Sequence, residues 1–103
     1  MGAYSLHLSK QVELQLDALQ EYADDHYFSK RLIKLDEDFD YCFDRLRNNP
    51  YFYQQCFQPK LEAKGYRRAV VQDFIIVYHV DEDKKVVNVI GAFHGRQNYT
   101  EHL

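Results

Sequence analysis

The sequence predicts an α+β fold: one strand, an antiparallel helical hairpin, and then a three-stranded antiparallel meander that completes one small sheet. Three observations carry that expectation. Residues 65–99, GYRRAVVQDFIIVYHVDEDKKVVNVIGAFHGRQNY, hold three apolar runs, Ala69 to Val71, Phe74 to Val80 and Val86 to Ala92, separated by polar turn residues at Gln72-Asp73 and Asp81-Glu82-Asp83. Two longer segments before them repeat apolar residues every three or four positions, the spacing that stacks side chains along one face of a helix. The first residues instead alternate apolar and polar, the period of a half-buried strand.

That strand is Tyr4-Ser5-Leu6-His7-Leu8-Ser9, with Tyr4, Leu6 and Leu8 facing the core. Ser9 has the hydroxyl of a helix N-cap. From Lys10 to about Tyr27, Val12, Leu16, Leu19 and Ala23 line one helical face, while Glu13, Asp17, Glu21 and Asp24 fall on the others. Ser29 is expected to cap a second helix, in which Leu32, Leu35, Phe39, Cys42 and Leu46 recur as a heptad-like seam. The seam is too short for a long coiled coil, so a hairpin packed on the sheet is the simpler expectation. Asn48-Asn49-Pro50 ends it, because proline lacks an amide donor and disfavours helical geometry in the residue before it. Tyr51 to Lys64 has no single period and reads as a loop over the core with at most a helical turn, after which Gly65 allows a sharp turn into the sheet.

Two of the strands are apolar on both sides. Phe74, Ile76, Tyr78 and Val80 form one face and Ile75, Val77 and His79 the other; Val86, Asn88, Ile90 and Ala92 stand opposite Val87, Val89 and Gly91. Strands of this kind are covered twice. The hairpin covers one face, and a chain this short is not expected to cover the other, which points to a partner segment.

With 103 residues, 46% hydrophobic and 28% charged, residues 1–103 are expected to form one domain around one core. Nine Tyr and seven Phe without Trp put much of the burial on rings, and Tyr keeps a polar tip for a surface. The start of the chain lacks the apolar core of a secretory signal, and no run approaches the roughly 18 apolar residues of a membrane span. The expected location is the cytoplasm, with no membrane partner. Cys42 and Cys56 are not a Cys-x-x-Cys pair and read as reduced packing residues. Asp24-Asp25-His26 and the acidic run Asp36-Glu37-Asp38 with Asp40 read as solvated faces, so neither a metal nor another cofactor is expected.

The formal charge of −3 is unevenly spread. Residues 1–53 carry six Lys/Arg against ten Asp/Glu, a net −4, and residues 54–103 carry seven against six, a net +1. Within the second half, Lys60, Lys64, Arg67 and Arg68 face only Glu62. A small basic cluster on an acidic chain argues against general nucleic-acid binding and allows one small anionic or acidic target.

The order of these elements, the Arg67-Arg68 pair, the strand Phe74-Ile75-Ile76-Val77-Tyr78, the turn after Val80, Val86 to Ile90 and the closing His94-Gly95-Arg96 together resemble the toxins of the RelE/ParE superfamily of bacterial type II toxin–antitoxin systems, over residues 3–99. The resemblance implies the fold derived above and leans to the ParE-like branch. RelE-like members, which are ribosome-dependent mRNA endonucleases, commonly carry an Arg in the central strand where this chain has Ile75, and many carry a second basic residue where it has Val70. Both departures remove cations that would hold a phosphate or stabilise charge during cleavage.

By resemblance the chain is therefore expected to inhibit growth by binding a target such as DNA gyrase, without catalysis of its own, and to be neutralised by a cognate antitoxin whose C-terminal segment folds on binding. The acidic first half offers that segment a complementary surface, with exposed Tyr or Phe as anchors. Lys60, Lys64, Arg68, His94, Arg96 and Tyr99 are the expected target-binding residues. Arg68 is preferred to Arg67 because it matches the family Arg and because neighbours in a strand point to opposite faces. The alternatives are a RelE-like endoribonuclease acting on ribosome-bound mRNA through His94, Arg96, Tyr99 and Arg68, and a non-toxic or plasmid-stabilising relative.

Overall fold

Ser9 ends one element and starts the next: its hydroxyl accepts the amide of Val12 at 3.2 Å, which closes strand β1 (Ser5–Leu8) and opens helix α1 (Lys10–His26). The computed structural model describes residues 3–103; Met1 and Gly2, the start of the N-terminal stretch read above, lie outside the described residues. Helix α2 (Ser29–Asn48) follows after only Tyr27 and Phe28, so the chain reverses. The expected cap at Ser29 is not formed. Ser29 is already the first helical residue, and Phe28 holds the cap position without a side-chain bond, its carbonyl accepting the amides of Arg31 and Leu32.

After α2 come a short helix α3 (Pro59–Ala63), strands β2 (Arg67–Val71), β3 (Phe74–Asp81) and β4 (Val86–His94), and a 3₁₀ turn at Tyr99–His102. The sheet order is β1-β4-β3-β2, antiparallel throughout the meander, with β1 added parallel to β4. A parallel neighbour requires a long crossover, and the helices, α3 and the first strands of the meander supply it. Gly65 takes φ +75°, a left-handed conformation that suits a residue without Cβ at the turn into β2.

Phe74, Ile76 and Tyr78 face the helices and are fully buried with Leu35, Leu46, Val12 and Ala23. The one buried hydroxyl among them, that of Tyr78, donates to the Pro50 carbonyl at 2.6 Å. Two polar latches hold this layer to the sheet. At one end Asp73 accepts Tyr27 and Arg31, each at 2.7 Å. At the other Glu82 accepts Tyr51 at 2.6 Å, Tyr4 at 2.9 Å and the ammonium of Lys85.

Two expectations about the other face are overturned. The chain itself covers much of it: Cys56, Leu61 and Tyr99 are buried against Ile75, Val77 and Phe93, with Tyr66, Ile90 and Leu103 at the margin. Segments too short or irregular to show a period supply that cover, so no partner segment is required there. The phase of β4 also changes midway. Val77 pairs with Gly91 but Tyr78 with Val89, so Ile90 is an extra residue in a bulge. Beyond it Ala92 joins Val87 and Val89 on the helix side, and Gly91 and Phe93 turn to the other.

Candidate functional site

Arg68 leaves β2 on the face away from the helices. Its guanidinium lies 4.7 Å from the centre of the Phe57 ring and donates to the Tyr99 hydroxyl at 3.2 Å. Gln58 donates to the same hydroxyl at 2.9 Å. Tyr99 is 5% exposed and stacked on Phe93, ring centres 5.7 Å apart. Its hydroxyl is an acceptor for two fixed donors, and the ring is a support under Arg68 rather than an open recognition tip. Arg67 goes the other way, donating to the Tyr53 carbonyl at 2.8 Å beside the Tyr51 ring, as strand alternation requires.

The turn after β4 is built by local hydrogen bonds. The amide of His94 donates to Gln97 Oε1 at 2.8 Å, that of Arg96 to His94 Nδ1 at 3.1 Å, and that of Gly95 to the Asp73 carbonyl at 2.7 Å. A Cβ at Gly95 would stand 3.0 Å from that carbonyl oxygen, so the close approach favours glycine. The His94 ring stands edge-on to Tyr22 and Phe74, with centres 5.0 and 5.7 Å away. With Nδ1 accepting, the proton of the neutral ring is on Nε2. Arg96 is exposed and makes no ion pair among the described residues.

These elements meet at a shallow cleft of about 380 Å³, lined by Arg68, Val70, Gln72, Ile75, His94 and Arg96, with Asp73 and Gly95 at its rim. Ile75, 6% exposed, takes the central-strand position in it. Asp73 is held below the usual carboxylate range, first by the Tyr27 hydroxyl and then by Arg31, and Tyr27 is pushed up to about 12, mostly by burial. Asp73 is thus an occupied anion that fixes the cleft wall. Two guanidinium groups around an apolar centre can grip a carboxylate or phosphate.

The six residues expected from the sequence do not converge on one place. Arg68, His94 and Arg96 share the cleft, and Tyr99 supports it from below. Lys64 belongs to another cleft and donates to the Leu103 carbonyl at 2.7 Å. Lys60 is exposed in α3. Sequence reasoning missed Gln58, Gln97 and Phe57, which position Tyr99, His94 and Arg68. Gln58 and Phe57 sit in an irregular stretch with no pattern; Gln97, three residues after His94, had only its spacing as a signal.

Among solved structures, the toxin–antitoxin complex RelBE2 from Mycobacterium tuberculosis contains a chain of similar architecture: TM-score 0.60 and 14% identity, covering 89% of this chain and 98% of that one. That likeness is one of fold. The chain itself belongs to the ParE toxin family of type II toxin–antitoxin systems, whose family model matches residues 6–99. No curated protein matches it.

Proposed function

We propose that this toxin inhibits growth by binding a cellular protein target, with DNA gyrase as the leading candidate, rather than by cleaving RNA. The observation that carries this reading is Ile75, an apolar side chain where the cleft between Arg68 and Arg96 would need a cation to stabilise a scissile phosphate. The surroundings support it. Metal-free RNA cleavage needs cations around the phosphate as well as an acid and a base, and Val70 and Ile75 put two apolar side chains into the lining of this cleft. Arg68 and Arg96 would dock an acidic element of the target, with His94 shaping the turn that presents Arg96.

The antitoxin is a partner of different chemistry. Between α1 and α2, Leu16, Phe39 and Phe43 floor a groove of about 440 Å³ rimmed by Asp17, Asp36 and Asp40. A basic amphipathic antitoxin segment fits that charge and that apolar floor.

Induction in a bacterial host with two readouts tests the target. A DNA-damage response with gyrase-linked DNA breaks is expected. Rapid loss of translation with cleaved mRNA would instead establish the endoribonuclease.

A further inference from the structure

On the sheet face away from the helices, His79 of β3 pairs with Asn88 of β4, and Asn88 pairs with His7 of β1, so the three form one row across three strands. Strands lie about 4.8 Å apart, so the backbones that carry the two histidines are about 10 Å apart, with Asn88 between them. The row lies in an open cleft of about 600 Å³ that the C-terminal turn leaves uncovered, with Lys64 and Tyr66 on one side and Ile90 on its floor. Lys64 reaches it along the Tyr66 ring, its Nζ 5.7 Å from the ring centre, and its single bond to the Leu103 carbonyl leaves two ammonium protons to donate. The Tyr66 ring stands at 70° to that of His79, with centres 6.3 Å apart.

Among the described residues no Asp or Glu side chain lines this cleft, although the chain carries 16 Asp and Glu against 13 Lys and Arg. Asp81, the next residue of β3 on the same face, is turned to the Lys84 amide at 3.1 Å. Two imidazoles, an amide and an ammonium are donors that suit a compact oxyanion, and an aromatic wall beside an apolar floor suits a flat ring. The volume is that of a small-molecule site. We propose that this cleft binds a mononucleotide, its phosphate at the His79–Asn88–His7 row and Lys64, its base against Tyr66 and Ile90. The site is separate from the Arg68–Arg96 cleft and does not depend on which target the toxin binds.

Titrating the purified full chain with AMP, GMP, CMP and UMP, followed by calorimetry and by amide NMR, tests this. At least one mononucleotide is expected to bind, shifting His7, Tyr66, His79 and Asn88, while its nucleoside and inorganic phosphate each bind roughly tenfold or more weakly. A His7→Ala/His79→Ala variant with an unchanged circular dichroism spectrum is expected to lose roughly tenfold or more, since bonds to a charged group are worth at least that. Should the double variant misfold, the exposed His7→Ala alone is expected to weaken binding measurably. The proposal is overturned by no binding of any of the four, by nucleoside or phosphate binding equally well, by shifts confined to Arg68 and Arg96, or by a folded variant that binds as the parent does.

Discussion

On the helix side of the sheet, Phe74, Ile76 and Tyr78 are closed over by two long helices and tied down at both ends by Asp73 and Glu82. On the other side, Ile75, Val77 and Phe93 are covered by one short helix, one 3₁₀ turn and a loop cysteine. Long amphipathic elements bury a continuous seam, whereas short irregular ones bury a residue each and leave gaps. The polar chemistry lies in and around those gaps: Arg68 and Arg96 at one, the His79–Asn88–His7 row at another. The difference is one of cover: the helix side is closed by long continuous elements, whereas the far face is covered piecemeal and keeps open clefts.

The strongest way to break that comparison is to empty one core position on each face. Leu35 and Leu61 are both fully buried. Leu35→Ala should cost about 2–5 kcal/mol in denaturant unfolding, because the helix layer cannot collapse around the hole without losing its seam. Leu61→Ala should cost less globally and appear as faster amide exchange confined to α3, Tyr66 and the turn at Tyr99. Equal global losses with no local opening would show that both faces belong to a single cooperative unit.

A smaller effect is expected at Gly91, in the bulge. A Cβ there would run into the ring of Phe93, the main far-face side chain of β4. Gly91→Ala should destabilise by about 1–3 kcal/mol, as overpacking does. Its exchange signature should fall on Phe93 and Tyr99 rather than on α1, if the bulge separates the two faces as described.

What was legible in the sequence follows the same division. The seams Val12–Ala23 and Leu32–Leu46, the three strand runs, the Ser9 cap and the opposite aim of Arg67 and Arg68 are all periodic or local, and each is found as expected. The far-face cover was not legible, since Cys56, Leu61 and Tyr99 come from separate segments that show no period of their own. Nor was the bulge at Ile90: Gly91 was the only hint, and a strand glycine does not say which way the phase moves. Of the expected site residues, Arg68, His94 and Arg96 were chosen by the family resemblance and by type and order, while the separation of Lys64 from them depends on where α3 docks.

Removing recognition without touching stability is the next test. Arg96 is exposed and makes no ion pair among the described residues, so Arg96→Ala should change stability by less than about 0.5 kcal/mol. Growth inhibition should nevertheless be lost, with antitoxin binding retained because the acidic groove lies on the helix side. Arg68→Ala should also remove inhibition, but with a measurable loosening of Tyr99, whose hydroxyl loses one of its two donors. If Arg96→Ala unfolds the chain, the turn after β4 is structural and the division between faces fails at that point.

The smallest effect concerns acid. Glu82 is pulled down to about 2 by Lys85 first and then by the Tyr51 and Tyr4 hydroxyls, and Asp73 is also held low, first by Tyr27. A carboxylate whose folded pKa lies below its unfolded value, which for Glu is about 4.3, contributes stability that is complete above the unfolded value and lost as pH falls toward the folded one. The chain should therefore lose stability between about pH 4.5 and pH 2, and be flat with respect to these groups above that window. Both carboxylates are solvent-accessible, so the loss is modest and shrinks further in salt. Glu82→Gln should lower stability at neutral pH and flatten the acid limb of a melting-temperature profile. Because both latches tie down the helix layer, acid should speed exchange at Tyr4, Tyr27 and Tyr51 before it reaches α3. Faster exchange at α3 first would show that the far face, not the helix layer, carries the acid sensitivity.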